Sequence, residues 1–261
     1  MTDAPANRAP EIVTIPCRTD NYAFLVLEPE GTGAALVDAP EASPIAAELE
    51  RLGRRLTDIL ITHHHGDHVA GVEALRAGGA RVIGAGRDSY RLPALDEAVE
   101  PGDTFTVFGH AVHVMEASGH TMGHVAYHLP NAHAVFTGDS LMAMGCGRLF
   151  EGDAETMWNS LCGIAALPPE TIVCSGHEYA EANCRFAETV DAGNPALEAR
   201  IHAVKALRAA GRPTVPSLLA EELAANPFLR AREPDMKEKL GMTGADDVEV
   251  FAEIRRRKDA F

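Results

Sequence analysis

A run of histidines directly after a short apolar segment is the feature that most constrains this chain. Residues 58–62 (DILIT) have the apolar, β-branched composition of a buried strand. They lead into the sequence THHHGDH at residues 62–68, in a chain with 12 histidines among 261 residues. Histidine ligates zinc, iron and manganese, and closely spaced ligands at a strand end are typical of a metal site. We therefore predict a metal centre here rather than a cluster of solvated surface histidines.

The spacing inside this segment predicts how the ligands divide. Residues two apart in an extended chain project to the same side, so we expect His63 and His65 to meet on one ion while His64 points away. Asp67 and His68 lie where the chain turns toward a helix, and they are placed to serve a second ion nearby.

Three later positions complete the candidate ligand set. His120, Asp139 and His177 each follow a glycine at the end of an apolar run. Side chains on loops at one edge of a layered fold can converge although they are distant in sequence. His124, four residues after His120, is expected to be structural or to support a ligand.

This ligand set favours a dinuclear metallohydrolase. The candidates outnumber the four ligands of a tetrahedral ion and include no cysteine, whereas structural zinc sites are closed and usually rich in thiolate. Two ions about 3.5–4 Å apart lower the pKa of a bridging water toward about 7, which provides hydroxide at neutral pH. The alternative is a metal-binding or interaction protein without catalysis, whose ions would have no open coordination position.

Apolar runs and turn residues predict an α/β protein followed by a helical part. We place a domain boundary near residue 180, with an α/β metal-binding domain over residues 1–180 and a smaller α-helical domain over residues 181–261. The predicted strands cover residues 12–15, 22–27, 34–37, 58–62, 81–85, 104–108, 111–115, 124–129, 132–136 and 171–174. The predicted helices cover residues 44–52, 69–77, 181–190, 195–210 and 246–258.

Composition narrows the classes of function. The chain carries 23 Lys and Arg against 38 Asp and Glu, and its formal net charge of −15 repels nucleic-acid phosphates and anionic membranes. No run approaches the ~18 apolar residues that span a bilayer, and the N-terminus lacks the apolar region of a secretory signal. Five cysteines without a CxxC pair favour neither a disulfide framework nor a thiolate zinc site. We expect a cytoplasmic monomer that acts on a small molecule and binds neither nucleic acid nor membrane.

The THHHGDH segment, with the later Gly-His, Thr-Gly-Asp and Gly-His-Glu pieces, resembles the signature of the metallo-β-lactamase superfamily. The resemblance implies an αββα sandwich with the metal ions at one edge of the two sheets. It also implies a division of ligands between two ions, the first held by His63, His65 and His120, the second by Asp67, His68 and His177, and both bridged by Asp139. Zinc is the expected metal, with iron and manganese as alternatives.

Four further segments resemble the glyoxalase II family, the hydroxyacylglutathione hydrolases. They are GCGRLFEG at residues 145–152, HEY at 177–179, PTVPS through NPF at 213–228 and RRRKDAF at 255–261. The resemblance implies that the helical domain binds substrate and that four side chains contact its glutathione part: Arg148, Tyr179, Arg255 and Lys258. The family often has tyrosine where this chain has Phe150, which removes one hydroxyl.

The residues themselves agree with an anionic substrate. The run RRRK at residues 255–258 is the densest positive stretch of the chain, and Arg255 and Lys258 share a face if the run is helical. Guanidinium binds carboxylate in a fork geometry, and glutathione carries two carboxylates. A solvated helix end is the alternative interpretation, since cations are favoured near a helix C-terminus.

The family's reaction is hydrolysis of S-(2-hydroxyacyl)glutathione, preferably S-D-lactoylglutathione, in the second step of methylglyoxal detoxification. A metal-bridged hydroxide is expected to attack the thioester carbonyl, and Asp67 is expected to orient it. The leaving thiolate has a conjugate-acid pKa near about 8.5, so no dedicated protein acid is needed. Two other activities of the superfamily are alternatives. The C-terminal segments argue against a glutathione persulfide dioxygenase with one iron, and the net charge of −15 disfavours a nuclease.

Overall fold

Two six-stranded sheets face each other in the computed structural model, which describes residues 8–261. The first sheet contains, in spatial order, β1 (Glu11–Cys17), β2 (Asn21–Leu27), β3 (Gly33–Val37), β4 (Arg55–Leu60), β5 (Arg81–Ala85) and β6 (Glu97–Val99). The second contains β7 (Thr104–Val107), β8 (His110–Glu116), β9 (Val125–Leu129), β10 (Ala134–Gly138), β13 (Ile172–Ser175) and β14 (Ser217–Leu218), also in spatial order. Between β10 and β13 in the chain, a small separate hairpin is formed by β11 (Leu141–Met142) and β12 (Gly145–Cys146).

Helices occupy both halves of the chain. The first group is α1 (Ala42–Leu52), α2 (Gly66–Val69), α3 (Val72–Arg76) and α4 (Ala154–Ala165). The second group is α5 (Ala180–Val190), α6 (Pro195–Ala209), α7 (Leu219–Ala225), α8 (Pro234–Leu240) and α9 (Asp247–Asp259). Among the residues that the structure describes, no helix is long and apolar enough to cross a membrane.

The alternation of side chains along β2 shows how the layers form. Phe24 and Val26 lie in the apolar cluster between the two sheets, where the ring of Phe24 is 5.7 Å from that of Phe136 on β10. Leu25 lies in a different cluster, together with Ile45 of α1. A strand buried on both faces is expected to be a nearly continuous apolar run, as NYAFLVL is.

The second sheet is covered by α4, and the C-terminal helices extend the same core. Met157 and Leu161 of α4, Phe251 and Ile254 of α9, and Val135 of β10 belong to one apolar cluster. The predicted αββα sandwich with C-terminal helices is therefore confirmed. The boundary at residue 180 stays a prediction.

The predicted helices differ from the structure in four places, since one is split and α4, α7 and α8 are not among them. The helix predicted over residues 69–77 is replaced by α2 and α3, which are separated at Gly71. The chain packs tightly there, because a Cβ at Gly71 would lie 2.8 Å from the backbone of Glu41. Helix α4 is missing from the prediction although its start carries a signal, since the Asp153 side chain accepts a hydrogen bond from the backbone N–H of Thr156.

Candidate metal centre and substrate pocket

Asp38, directly after β3, shapes the loop that carries the predicted ligands. Its Oδ1 accepts a hydrogen bond from the backbone N–H of Thr62 at 2.9 Å, and its Oδ2 accepts one from the Thr62 hydroxyl at 2.8 Å. Oδ2 also lies 2.8 Å from Nδ1 of His68, so this ring donates there and turns Nε2 toward the site. The sequence prediction missed Asp38, whose position at the end of an apolar strand was the available signal.

The first ligand group consists of His63, His65 and His120, whose ring nitrogens face one another. Nδ1 of His65 lies 3.1 Å from Nε2 of His63 and 3.0 Å from Nε2 of His120. Nδ1 of His120 donates to the carbonyl oxygen of Arg148 at 2.8 Å, which aims an unprotonated Nε2 at the group. The three ring nitrogens are close enough to one another to bind a single cation.

The second ligand group consists of Asp67, His68 and His177. Nε2 of His177 lies 3.3 Å from Nε2 of His68 and 3.4 Å from Oδ2 of Asp67. His177 and Asp67 each contact a further polar side chain. Nδ1 of His177 lies 3.2 Å from Oδ1 of Asp20, and the Asn21 amide donates to Oδ2 of Asp67 at 3.2 Å.

Asp139 lies between the two groups. Its Oδ1 is 3.3 Å from Nε2 of His68, and its Oδ2 is 3.5 Å from Nε2 of His120 and 3.3 Å from Nε2 of His177. Oδ1 is buried and has no hydrogen-bond partner, as expected of an oxygen that a cation would satisfy. His124 supports this residue from behind, since its Nε2 accepts a hydrogen bond from the Asp139 backbone N–H at 3.1 Å.

The pKa shifts of three histidines and of Asp139 suit metal ligands. Burial lowers the pKa of His63 well below its usual value, and burial likewise lowers the pKa values of His65 and His120. Burial alone would raise the pKa of the Asp139 carboxyl, but the neighbouring charge of His68 holds it well below its usual value. Burial alone would lower the pKa values of His68 and His177, but the neighbouring Asp139 raises them, so a bound cation would have to displace a proton there. Neutral imidazole and ionised carboxylate are the forms that bind a divalent cation. The residues present therefore fit a metal centre.

Other polar residues near the centre have distinct positions. His64 lies outside both groups, with its Nδ1 3.0 Å from Oδ2 of the buried Asp88. Asp20 and Asn21 contact the second group but are absent from the predicted site. A polar pair where a turn meets a strand is common, so it offers little signal of function.

A cavity of about 400 Å³ opens beside the metal centre. Its walls include all four predicted substrate contacts, Arg148, Tyr179, Arg255 and Lys258. The same walls include five of the predicted ligands: His65, Asp67, His120, Asp139 and His177. The other two predicted ligands, His63 and His68, are buried. Phe150, where the family often has tyrosine, also lines the walls, and the prediction missed four further side chains there: Met142, Cys146, Ala182 and Asn183.

Three of the predicted substrate contacts are accessible. Arg148 is exposed, and the ring of Tyr179 stacks on that of His177 with 4.7 Å between centroids and 8° between planes. The Lys258 ammonium donates to the carbonyl oxygen of Ala182 at 3.3 Å. Burial, followed by the neighbouring arginines, lowers the pKa of Lys258 to about 8.

Arg255 differs from these three because it is nearly buried, at 4% exposed. Its Nη1 donates to the carbonyl oxygen of Cys146 at 3.1 Å, and its Nη2 donates to Oδ1 of Asp259 at 2.7 Å. The guanidinium also lies over the ring of Phe228, 5.1 Å from its centroid. Arg255 therefore anchors α9 to the wall of the pocket that it helps to line.

Comparison with known proteins agrees with this architecture. The family model for the C-terminus of hydroxyacylglutathione hydrolase matches residues 178–261, and the model for the metallo-β-lactamase superfamily matches residues 19–177. A hydroxyacylglutathione hydrolase of Cereibacter sphaeroides is 58% identical over 253 residues, which cover 96% of this chain and 99% of the relative. One of Ruegeria pomeroyi is 57% identical over 252 residues, with the same coverage of 96% and 99%.

A solved structure also resembles the chain. TTHA1623 in a di-iron-bound form is 29% identical and superimposes with a TM-score of 0.55, covering 62% of this chain and 90% of that one. Together, the family models and the close relatives confirm the resemblance seen in the sequence. The chain belongs to the hydroxyacylglutathione hydrolase family of the metallo-β-lactamase superfamily.

Proposed function

We propose that this enzyme hydrolyses S-(2-hydroxyacyl)glutathione to glutathione and a 2-hydroxy acid, with S-D-lactoylglutathione as preferred substrate and D-lactate as product. The observation that carries the proposal is the arrangement of one pocket. Both ligand groups reach it, and its walls also hold the cations Arg148 and Lys258. A glutathione thioester fits this arrangement. Its anionic tripeptide part can pair with the two cations, and its reactive carbonyl, at the other end, can lie at the metal centre.

We assign the two ligand groups and Asp139 to a pair of divalent metal ions. A pair of such ions supplies a hydroxide nucleophile at neutral pH and a Lewis acid for the thioester carbonyl. Zinc is the metal we favour, with iron and manganese as alternatives, since histidine and aspartate accept all three. The di-iron form of the related TTHA1623 supports two ions per site and supports iron as an alternative.

Asp67 is assigned to orient the attacking water as well as to ligate. Burial would raise the pKa of its carboxyl, but the charge of His68 and the hydrogen bond from Asn21 lower it below the usual value. An ionised carboxylate is a strong hydrogen-bond acceptor, so Asp67 can hold the water with its lone pair toward the carbonyl.

The pocket cations are assigned to the two carboxylates of glutathione. Arg148 and Lys258 can each pair with a carboxylate, and Tyr179 can donate from its hydroxyl. Burial raises the pKa of Tyr179 to about 12, which keeps this hydroxyl protonated. The thiolate leaves without a protein acid, because its conjugate-acid pKa is only about 8.5.

We further propose that residues 181–261 form a substrate-binding domain, since α9 supplies Arg255 and Lys258 to the pocket. All five cysteines are free, which supports a reducing compartment such as the cytoplasm. A monomer is the proposed assembly, and light scattering on the purified protein tests it. The proposed biological role is the second step of methylglyoxal detoxification.

The test is release of thiol from S-D-lactoylglutathione by the purified protein, by a chelator-treated sample, and by that sample after metal is restored. We expect release that chelation abolishes and metal restores. His65→Ala should lose metal and activity, whereas His113→Ala, a matched change at an exposed histidine of β8, should retain both. If folded, metal-replete protein releases no thiol, the proposal is wrong. Oxygen uptake with glutathione persulfide then tests the dioxygenase alternative.

A further inference from the structure

Residues 141–150, which we call the pocket loop, connect the substrate pocket to the metal centre. The side chain of Arg148 lines the pocket, while its carbonyl oxygen accepts the hydrogen bond from Nδ1 of His120 at 2.8 Å. The backbone N–H of Gly147 donates to the carbonyl oxygen of Ser140 at 3.0 Å. The fit is tight, because a Cβ at Gly147 would lie 2.0 Å from the carbonyl oxygen of Asp139. A displaced pocket loop would therefore disturb both halves of the site.

The backbone of the pocket loop is held by two buried side chains, one on α7 and one on the residue that follows it. The Asn226 amide donates to the carbonyl oxygens of Met142 at 3.2 Å and Gly145 at 3.0 Å. Oε2 of Glu222 accepts a hydrogen bond from the backbone N–H of Met144 at 2.8 Å. Asn226 and Glu222 are both 0% exposed, so neither can contact substrate or solvent.

These two side chains act as one unit. The Asn226 amide also donates to Oε2 of Glu222 at 3.0 Å, which fixes both side chains relative to each other. Met144, whose N–H donates to Glu222, has a left-handed φ of 61°, a conformation that a residue with a Cβ keeps only when its surroundings enforce it. Asn183 and Arg255, on α5 and α9, donate to two further carbonyl oxygens of the pocket loop.

We propose that Asn226, with Glu222 as its partner, is a positioning residue for hydrolysis. It holds the pocket loop where Arg148 meets the glutathione part of the substrate and where the Arg148 carbonyl orients His120. The inference rests on the proposed roles of Arg148 and His120. It gives the C-terminal helices a second role, because they shape the metal half of the site as well as supplying substrate contacts.

Asn226→Ala in the full chain tests this proposal. We expect KM for S-D-lactoylglutathione and the dissociation constant for glutathione, measured by calorimetry, to rise by about tenfold, with a fall of similar size in metal affinity. The matched control is Asn194→Ala. Asn194 is also a nearly buried asparagine of the helical part, but it donates to Asp191 and to the carbonyl oxygen of Ala224, away from the pocket loop. This control should lower the melting temperature and leave all three constants unchanged.

A second pair of variants keeps the proposal testable if Asn226→Ala does not fold. Glu222→Gln retains an oxygen that can accept from Met144, so KM should stay near wild type. Glu222→Leu has a similar size but no acceptor, so KM and the glutathione dissociation constant should rise. Wild-type constants in folded Asn226→Ala or folded Glu222→Leu would overturn the positioning role. Failure of the wild type to hydrolyse the thioester would instead contradict the proposed function, while the glutathione and metal affinities would still test the positioning.

Discussion

The two halves of the pocket are built in different ways. The metal half uses short side chains at strand ends and on the short helix α2, and His63, His68 and Asp139 are each no more than 6% exposed. The substrate half uses long cationic side chains, of which Arg148 is exposed and Lys258 partly buried. Metal ligation demands tightly held donors, whereas an ion pair in contact with water tolerates movement and contributes less. We therefore expect changes in the metal half to abolish chemistry and changes in the substrate half to weaken binding.

The largest effect is expected from Asp139→Ala. Because Asp139 lies within 3.5 Å of histidines in both ligand groups, its removal should affect both of the proposed ions. Thiol release should fall by about a hundredfold or more, together with metal content measured by elemental analysis. A variant that keeps wild-type metal content and turnover would contradict the assigned role.

Asp38→Ala is expected to have the next largest effect, although Asp38 is not itself an assigned ligand. The change removes the acceptor that orients His68 and that also accepts from the backbone N–H and the hydroxyl of Thr62. Metal affinity, measured by competition with a chromophoric chelator, should fall by about 10- to 100-fold. Unchanged affinity in the folded variant would show that the loop orients His68 without this carboxylate.

In the substrate half, Arg148→Ala should raise KM by about tenfold with kcat nearly unchanged, since one charge-assisted hydrogen bond contributes about 1.5–3 kcal/mol. Arg51→Ala is the matched control, because Arg51 is an exposed arginine on α1 that pairs with Glu48. Steady-state kinetics with S-D-lactoylglutathione measure both variants. A fall in kcat with constant KM for Arg148→Ala would place this residue in the chemical step instead.

The pH dependence of binding should report on Lys258. Its pKa of about 8, lowered first by burial, means that the ammonium is charged below pH 8 and loses its proton as the pH rises through that value. The ratio kcat/KM should therefore fall above pH 8. Arginine stays protonated throughout this pH range, so kcat/KM of Lys258→Arg should not decline above pH 8. If the two enzymes have the same profile on the alkaline side, Lys258 does not bind the substrate in its charged form.

The smallest effect is expected from Phe150→Tyr, which restores the residue that is frequent in the family. Phe150 is 63% exposed, and its ring centroid lies 5.1 Å from that of His120 at the edge of the pocket. A hydroxyl there would face water and gain about 0.5 kcal/mol at most, or about a twofold decrease in KM. A much larger decrease would show that the hydroxyl makes a buried contact with the substrate.

The metal half could be predicted from the sequence because its candidate ligands follow local patterns. His63 and His65 are two residues apart at the end of a predicted strand, and their ring nitrogens do face each other in the structure. Local spacing of this kind is visible in a sequence because the geometry of an extended chain is fixed. The later candidate ligands could be predicted because each repeats one pattern, a glycine and a ligand-type residue after an apolar run, and the structure brings them to the same place.

The supporting residues could not be found in this way. Asn21 is the first residue of β2 and Asp38 directly follows β3, and single polar residues at strand ends are common without any function. Asn226 donates to Met142, which is 84 residues away, so only the folded chain brings the two together. Local patterns therefore indicate ligands, whereas contacts between distant segments determine how firmly the ligands and the pocket are held.

The most direct test of the account is a titration of metal into the chelator-treated protein, with bound metal per chain and thiol release from S-D-lactoylglutathione followed in the same samples. We predict that release is absent without metal and rises until two ions are bound per chain, because the seven ligands form two groups joined by Asp139. Full release with one ion bound, or release that persists without metal, would contradict the proposed two-metal site.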